Sequence, residues 1–407
     1  MLRCGLLGEK LAHSYSPAIH RRLGDYEYRL IEKAPSELET FLNSDTFDAL
    51  NVTIPYKKAV MPYCAALSDT ARRIGSVNTI VRRGDGTLYG DNTDAYGFAC
   101  MIKSSGIRVE GAKALVLGSG GACATVTAVL REMGAREIVI ISRSGEDNYD
   151  NLSRHADAEL IVNTTPVGMY PNCIASPLDL AQFPLCRGVL DLIYNPRRTG
   201  LILQAESLGI PCESGLVMLV AQAKRAAELF TGRGMDDAVI GRIVGDLRAE
   251  MENIVLVGMP GSGKSTIAAA LGELTGRRVL DSDEEIVRRA EKSIPELFAE
   301  SGEEFFRELE SAVLRELGKA SGLIIATGGG AVLREENYAA LHQNGTIIHL
   351  RRALSELPIA GRPLSQTKGV EELWNARRER YERFADHVVD NNAAAQSVAE
   401  AILEVLR

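Results

Sequence analysis

No stretch of this sequence stays apolar long enough to cross a bilayer, and no run of lysine and arginine marks a surface for nucleic acid. Net charge is −8 at pH 7, from 46 basic against 54 acidic residues, so neither nucleic acid nor an anionic membrane is an expected partner. Cysteine is sparse: seven copies without C-x-x-C spacing argue against a disulfide framework and a zinc ribbon and fit reduced core thiols. The six histidines form no ligand pair. The opening segment, MLRCGLLGEKLAHSYSP, breaks its apolar run with charge before a signal-peptide core can form, which predicts a cytoplasmic protein. Internal repeats and low-complexity segments are also lacking.

What is present is length and alternation. A chain of 407 residues exceeds what one core usually supports, so two or three domains are expected. Strand-like runs alternate with helical ones: RCGLLG, FDALNVTI, KALVLG, EIVIIS, AELIVNTT and GVLDLIY, then NIVLVGM, RRVLDSD, GLIIATGGG and TIIHL. That order predicts an α/β protein built on parallel sheets covered by helices. MENIVLVGMPGSGKST reads as the start of an independent protein directly after a terminal helix, DDAVIGRIVGDLRAE, so the chain divides into residues 1–250 and 251–407 with almost no linker.

Residues 255–266, VLVGMPGSGKST, carry the phosphate-loop spacing, with Gly258, Gly263, Lys264 and Ser265 in register after a buried strand. Gly261, Ser262 and Thr266 complete the loop and its helix start. Glycines let backbone N–H groups approach a polyphosphate, the following helix points its positive end at it, Lys264 adds charge, and the Ser265 hydroxyl can ligand Mg²⁺.

In the first half, KALVLGSGGACATVTAVLREMG is strand, glycine turn and helix. Gly118 and Gly120 open a G-x-G-x-x-G fingerprint, with Cys123 in the third position. The next strand ends in Ser142-Arg143-Ser144, where a guanidinium in place of an acid suits the 2′-phosphate of NADP.

AHSYSP, NVTIPYKKA, SVNTI and GDNTDAYG precede that turn in order, and NTTPVGMYP and GLVMLVAQA follow it. Together they resemble shikimate dehydrogenase over nearly all of residues 1–250. The resemblance implies two lobes: an α/β substrate lobe, about 1–93 and 216–250, and a Rossmann-like NADP lobe, about 94–215. It implies that Ser14 and Ser16 bind the substrate carboxylate and that Asn51, Thr53, Asn78, Asp94 and Gln222 hold ring hydroxyls. Lys57 and Asp94 would be the catalytic pair, with Lys58 the rival for the lysine's role. NADP(H) would meet Gly118, Gly120, Gly121, Ala122, Ser142, Arg143, Ser144, Thr164, Gly215 and Met218. The family's own G-x-G-G-A version accounts for Cys123. Between Arg143 and Asn163 the chain is shorter than the family pattern, which predicts a trimmed cofactor sheet.

LDSDEEI, FFRELE, ATGGGAV and GRPLS follow the phosphate loop, and the set resembles shikimate kinase over residues 252–407, a P-loop NMP-kinase-like parallel-sheet fold. By resemblance, MgATP is the phosphoryl donor, Ser265 and Asp281 hold Mg²⁺, and Asp283 meets the attacking ring hydroxyl and accepts its proton. Arg307 and Arg377 would clamp the substrate carboxylate, with Arg378 and Arg380 competing for the second place. Gly328, Gly329 and Gly330 would line the ring, and Arg362, on a short lid, would cover the transferring phosphoryl group.

The two halves thus look like consecutive enzymes, one reducing 3-dehydroshikimate and the other phosphorylating the product. The rivals are a quinate-type dehydrogenase beside a small-molecule kinase, and a sensor that keeps both pockets without turnover. Oligomeric state is not legible from sequence.

Overall fold

The structure is a computed structural model that describes residues 1–11, 14–357 and 369–406. The chain forms two compact units, Met1–Met169 with Ala175–Asp246 and Tyr170–Ile174 with Leu247–Arg407. The boundary falls inside the helix Ala238–Met251.

The first unit holds two sheets. One has the order β2-β1-β3-β5-β6-β4, from β1 (Arg3–Gly8), β2 (Glu27–Glu32), β3 (Ala49–Val52), β4 (Ala66–Leu67), β5 (Thr79–Arg82) and β6 (Leu88–Asp91). β1 runs parallel to β2 and β3, but β5 runs antiparallel to both β3 and β6. The sequence reading of parallel sheets therefore holds here only in part. The physical reason is the connection: residues 83–87 between β5 and β6 form a tight turn around Gly86 at φ +83°, too short for a parallel crossover.

The second sheet is wholly parallel, in the order β11-β10-β9-β7-β8, from β7 (Lys113–Leu117), β8 (Glu137–Ile141), β9 (Leu160–Asn163), β10 (Gly188–Asp191) and β11 (Cys212–Ser214). β7, β9 and β10 are buried along their whole length, as central strands covered on both faces must be. Between β8 and β9 stands a single 3₁₀ turn, Leu152–His155, which leaves β8 at the sheet edge and matches the trimmed sheet expected from the short segment.

The second unit is built on a parallel sheet, β13-β14-β12-β15-β16, from β12 (Asn253–Val257), β13 (Val279–Asp281), β14 (Ile324–Ala326), β15 (Gly345–Arg351) and β16 (His387–Asp390). β12 is fully buried at its centre and feeds the phosphate loop and then the helix Lys264–Thr275. Among the described residues no helix is long and apolar enough to cross a membrane.

Candidate active sites

The first site is a cavity of about 250 Å³ lined by Ser14, Ser16, Asn51, Thr53, Lys57, Asn78, Asp94, Gly215, Met218 and Gln222, with Leu192 and Tyr194 completing the wall. Several of these side chains reach it from the start or end of an element. Ser16 opens the helix Ser16–Leu23, Asn51 lies on β3, and Asp94 is the first residue of the helix Asp94–Ser105, where a carboxylate suits the helix dipole. Gly97 lets that helix meet the helix Leu216–Thr231, since a Cβ there would fall 2.6 Å from the Met218 carbonyl oxygen. The close approach delivers Gln222 to the end occupied by Asp94.

The polar atoms form one connected set. Lys57 Nζ donates to Asp94 Oδ2 at 2.6 Å, and Asn78 Nδ2 donates to Asp94 Oδ1 at 2.8 Å and to Gln222 Oε1 at 3.5 Å. Asn78 itself is locked from behind, its Oδ1 accepting from the Thr93 backbone N–H at 2.7 Å. An ammonium beside a carboxylate, facing amides and hydroxyls, can bind a polyhydroxylated ring and hand a proton to a ring oxygen. Lys58, the rival, is exposed and lines a different cavity, of about 790 Å³, together with Ser119, Gly120, Gly121 and Arg73.

The glycine turn suits a dinucleotide. Gly118 has φ +98°, and a Cβ on it would press within 3.0 Å of Thr164 Oγ1, which is itself fixed by a 2.7 Å bond to the Leu117 carbonyl. A Cβ on Gly120 or Gly121 would meet nothing within 4 Å, so the backbone there is open to a ligand. The helix Gly121–Glu132, with Ala122 in its first turn, begins without a side-chain cap, leaving its N–H groups for a pyrophosphate. Cys123 is buried in that helix and makes a 3.8 Å contact to Thr127 Oγ1. Ser142, Arg143 and Ser144 form the turn after β8, with Arg143 and Ser144 exposed. Gly215 has no room for a side chain against Leu192 and caps the helix that carries Met218.

In the second unit Gly258, Gly261 and Gly263 all take positive φ, 152°, 84° and 91°, which L side chains rarely adopt. Lys264 Nζ folds over the loop and donates to the Gly258 and Met259 carbonyls at 2.9 and 3.0 Å. The Ser262 carbonyl is held by Asn391 Nδ2 at 2.7 Å, and Thr266 is exposed on the first helical turn. Ser265 Oγ donates to Asp281 Oδ2 at 2.7 Å, and the other Asp281 oxygen caps the helix Ser282–Ala290 by accepting from the Asp283 N–H at 2.9 Å. Paired oxygen donors beside a phosphate loop fit a hard cation such as Mg²⁺.

Asp283 faces Gly328, the first of the three glycines. Its carboxyl is pushed up to about 6 by burial first, then by the charges of Asp281 and Glu310, against the opposing pull of Lys264 and Arg307. A Cβ on Gly328 would fall 2.5 Å from Asp283 Oδ1 and 2.8 Å from Glu310 Oε1, and one on Gly329 would fall 2.7 Å from the Pro260 ring. Arg307 and Arg377 are both buried, whereas Arg378 and Arg380 are exposed. Arg377 donates to the Gly329 carbonyl at 3.0 Å, and Tyr381 donates to the same oxygen at 2.5 Å. Arg307 NH1 donates to Glu310 Oε2 at 2.6 Å. Arg362 lies outside the described residues. Sequence reasoning passed over Glu310, although its place three residues after Arg307 on one helix was the available signal. It also passed over Tyr194, and nothing local in the sequence singles that residue out.

Residues 6–80 match the shikimate dehydrogenase substrate-binding domain family, and residues 260–407 match the shikimate kinase family. A shikimate dehydrogenase (NADP(+)) of Clostridium beijerinckii is 35% identical over 253 residues, covering 57% of this chain and 93% of its own. That of Halothermothrix orenii is 38% identical over 264 residues, covering 56% and 90%. Among solved structures, the shikimate 5-dehydrogenase of Thermus thermophilus in complex with NADP(H) and shikimate is 34% identical with TM-score 0.55, covering 60% of this chain and 98% of its own. A chorismate mutase/shikimate 5-dehydrogenase fusion protein from Clostridium acetobutylicum is 35% identical with TM-score 0.58, covering 60% and 96%.

Proposed function

Since this chain belongs to the shikimate dehydrogenase family and continues as a shikimate kinase domain, we propose that it performs two successive steps of the shikimate pathway, in the cytoplasm. Residues 1–250 reduce 3-dehydroshikimate to shikimate, and residues 251–407 phosphorylate shikimate to shikimate 3-phosphate. The 2.6 Å Lys57–Asp94 pair facing a cavity of amides and hydroxyls carries the reading.

NADPH at the glycine turn supplies a hydride, and MgATP at the phosphate loop supplies a phosphoryl group. Lys57 gives its proton to the ring carbonyl oxygen as that carbon is reduced, and Asp94 orients the ammonium through its 2.6 Å bond. Asn51, Thr53, Asn78 and Gln222 hold the ring hydroxyls, and Ser14 and Ser16 take the carboxylate with neutral donors. In the kinase, buried Arg307 and Arg377 bind the same carboxylate with charge, Asp283 takes the proton of the attacking hydroxyl, and Ser265 with Asp281 holds the cation. Lys264 and Arg362 meet the charge that develops on the phosphoryl group.

The experiment is a coupled assay. The purified chain should oxidise NADPH with 3-dehydroshikimate alone, and release ADP only once shikimate has formed or is added. Faster turnover of quinate than of shikimate would move the first unit to the quinate reading, and binding without turnover at either site would leave a sensor.

A further inference from the structure

Asn51 faces the substrate cavity from β3, yet its amide is fixed from outside that cavity. Tyr28 on β2 pairs with Cys4 of β1, and Asn51 pairs with Leu6 of the same strand. Positions 4 and 6 share a face of β1, so both side chains stand on that face, one on each side of β1. The phenol is long enough to cross, and its hydroxyl donates to Asn51 Oδ1 at 2.8 Å.

The other end of the amide is fixed as well. Thr79 Oγ1 has one proton to place, with Asn78 Oδ1 and Thr93 Oγ1 both at 3.1 Å, and toward Asn51 it accepts, from Nδ2 at 3.3 Å. We propose that Tyr28 is a positioning residue: its hydroxyl holds the Asn51 amide with oxygen turned back and NH₂ turned to the cavity, so that Asn51 recognises a ring hydroxyl as a donor. This rests on the reading of the first site as the 3-dehydroshikimate site.

The phenol is itself held. The His20 ring stacks on it at 3.9 Å between centroids and 10° between planes, and stacks on Phe230 at 5.7 Å. His20 Nδ1 meets the Tyr26 hydroxyl at 2.7 Å. Burial holds the imidazole pKa down at about 3, so the stack stays neutral across the working range of the enzyme. Asn51 is 4% exposed, so without the phenolic proton its carbonyl keeps only the neighbouring His20 ring as a partner behind it, and the amide loses its preferred orientation.

The test is Tyr28→Phe, which keeps the stacked ring and removes only the hydroxyl. Expected is a rise of about tenfold in KM for 3-dehydroshikimate, the size of one lost hydrogen bond, with kcat, NADPH KM and kinase activity within about twofold of wild type. In an Asn51→Ala background the same change should add nothing, because the two residues act as one unit. Unchanged KM, additive losses, or a parallel fall of kcat, cofactor binding and thermal stability would overturn the proposal. If Tyr28→Phe does not fold, Asn51→Asp decides, since it presents an acceptor where a donor is required and should raise KM at least as far; a neutral effect would sink the idea. If wild type fails to reduce 3-dehydroshikimate, the functional reading falls by itself. Calorimetric shikimate affinity, measured with and without Tyr28→Phe in an Arg307→Ala background that blinds the kinase site, then tests the role of Tyr28 alone, and equal affinities or no binding at all would refute it.

Discussion

The guanidinium of Arg307 occupies the space in which a side chain on Gly330 would begin: a Cβ there would lie 2.5 Å from Arg307 Cζ. Gly330 itself has φ −100°, a conformation open to any residue, so the arginine and not the backbone demands glycine. Gly330→Ala should push Arg307 out of the site and raise the kinase KM for shikimate by roughly tenfold to a hundredfold, the range for a charge-assisted hydrogen bond. Reductase kinetics of the same variant should match wild type. A kinase KM unchanged in steady-state assays would mean that Arg307 does not hold the carboxylate.

Lys57→Ala removes the ammonium that Asp94 orients at 2.6 Å while leaving the glycine turn intact. Loss of a positioned general acid costs typically 10²–10⁴-fold, so kcat for 3-dehydroshikimate should fall by about that factor with NADPH affinity and kinase turnover retained. Near-normal NADPH oxidation would remove Lys57 from the mechanism. Lys264→Ala should give the mirror result, silencing ADP release and sparing reduction.

What the sequence disclosed follows burial. Strands β1, β3, β7, β9, β10, β12, β14 and β15 stand out because they are apolar runs inside sheets, and the edge strands β8 and β13 only because short apolar runs survive there. β2 reads EYRLIE with no fully buried position, and β16 reads HVVD with one, so neither carries a strand signal that composition can detect. The antiparallel β5 was hidden for another reason: strand direction is set by connection length, not by the strand's own residues. Single charges behave likewise. The resemblance favours Arg377 while Arg378 and Arg380 compete, and helix rotation buries the first and exposes the other two. Tyr28 escaped because it touches another side chain of the site, a contact that leaves no spacing to read, whereas Glu310 was legible in its place three residues after Arg307.

Arg143 stands exposed at the end of β8, next to the glycine turn. Arg143→Asp replaces the expected partner of the 2′-phosphate by a repelling carboxylate. NADPH affinity should drop by roughly tenfold to a hundredfold, from about 1.5–3 kcal/mol of charge-assisted bonding, with NADH affinity nearly unchanged. Titration of both cofactors checks it, and an unaltered preference would place phosphate recognition on another residue.

Asp283 sets opposite demands on stability and catalysis. Its carboxyl titrates near 6 in the folded chain, well above the ordinary aspartate value of 3.8, because it is buried beside Asp281 and Glu310. Below about pH 4 both folded and unfolded chains carry it protonated, and the site costs nothing. As pH rises toward 6 the unfolded chain releases the proton first, so folding stability falls across that window and stays lowered above it. Asp283→Asn removes this loss: the kinase unit should unfold at the same temperature as wild type at pH 4, and at a higher one at pH 7, by a free energy on the order of 1–3 kcal/mol. Catalysis runs the other way, since only the carboxylate can take the hydroxyl proton. Wild-type kinase kcat/KM should therefore climb with pH along an acid limb at or below about 6, the cation beside Asp281 drawing it downward, and the Asn variant should be inactive throughout. Equal melting temperatures for the two chains at pH 7 would show that Asp283 is not the strained group, and a variant that still releases ADP with shikimate would show that it is not the base.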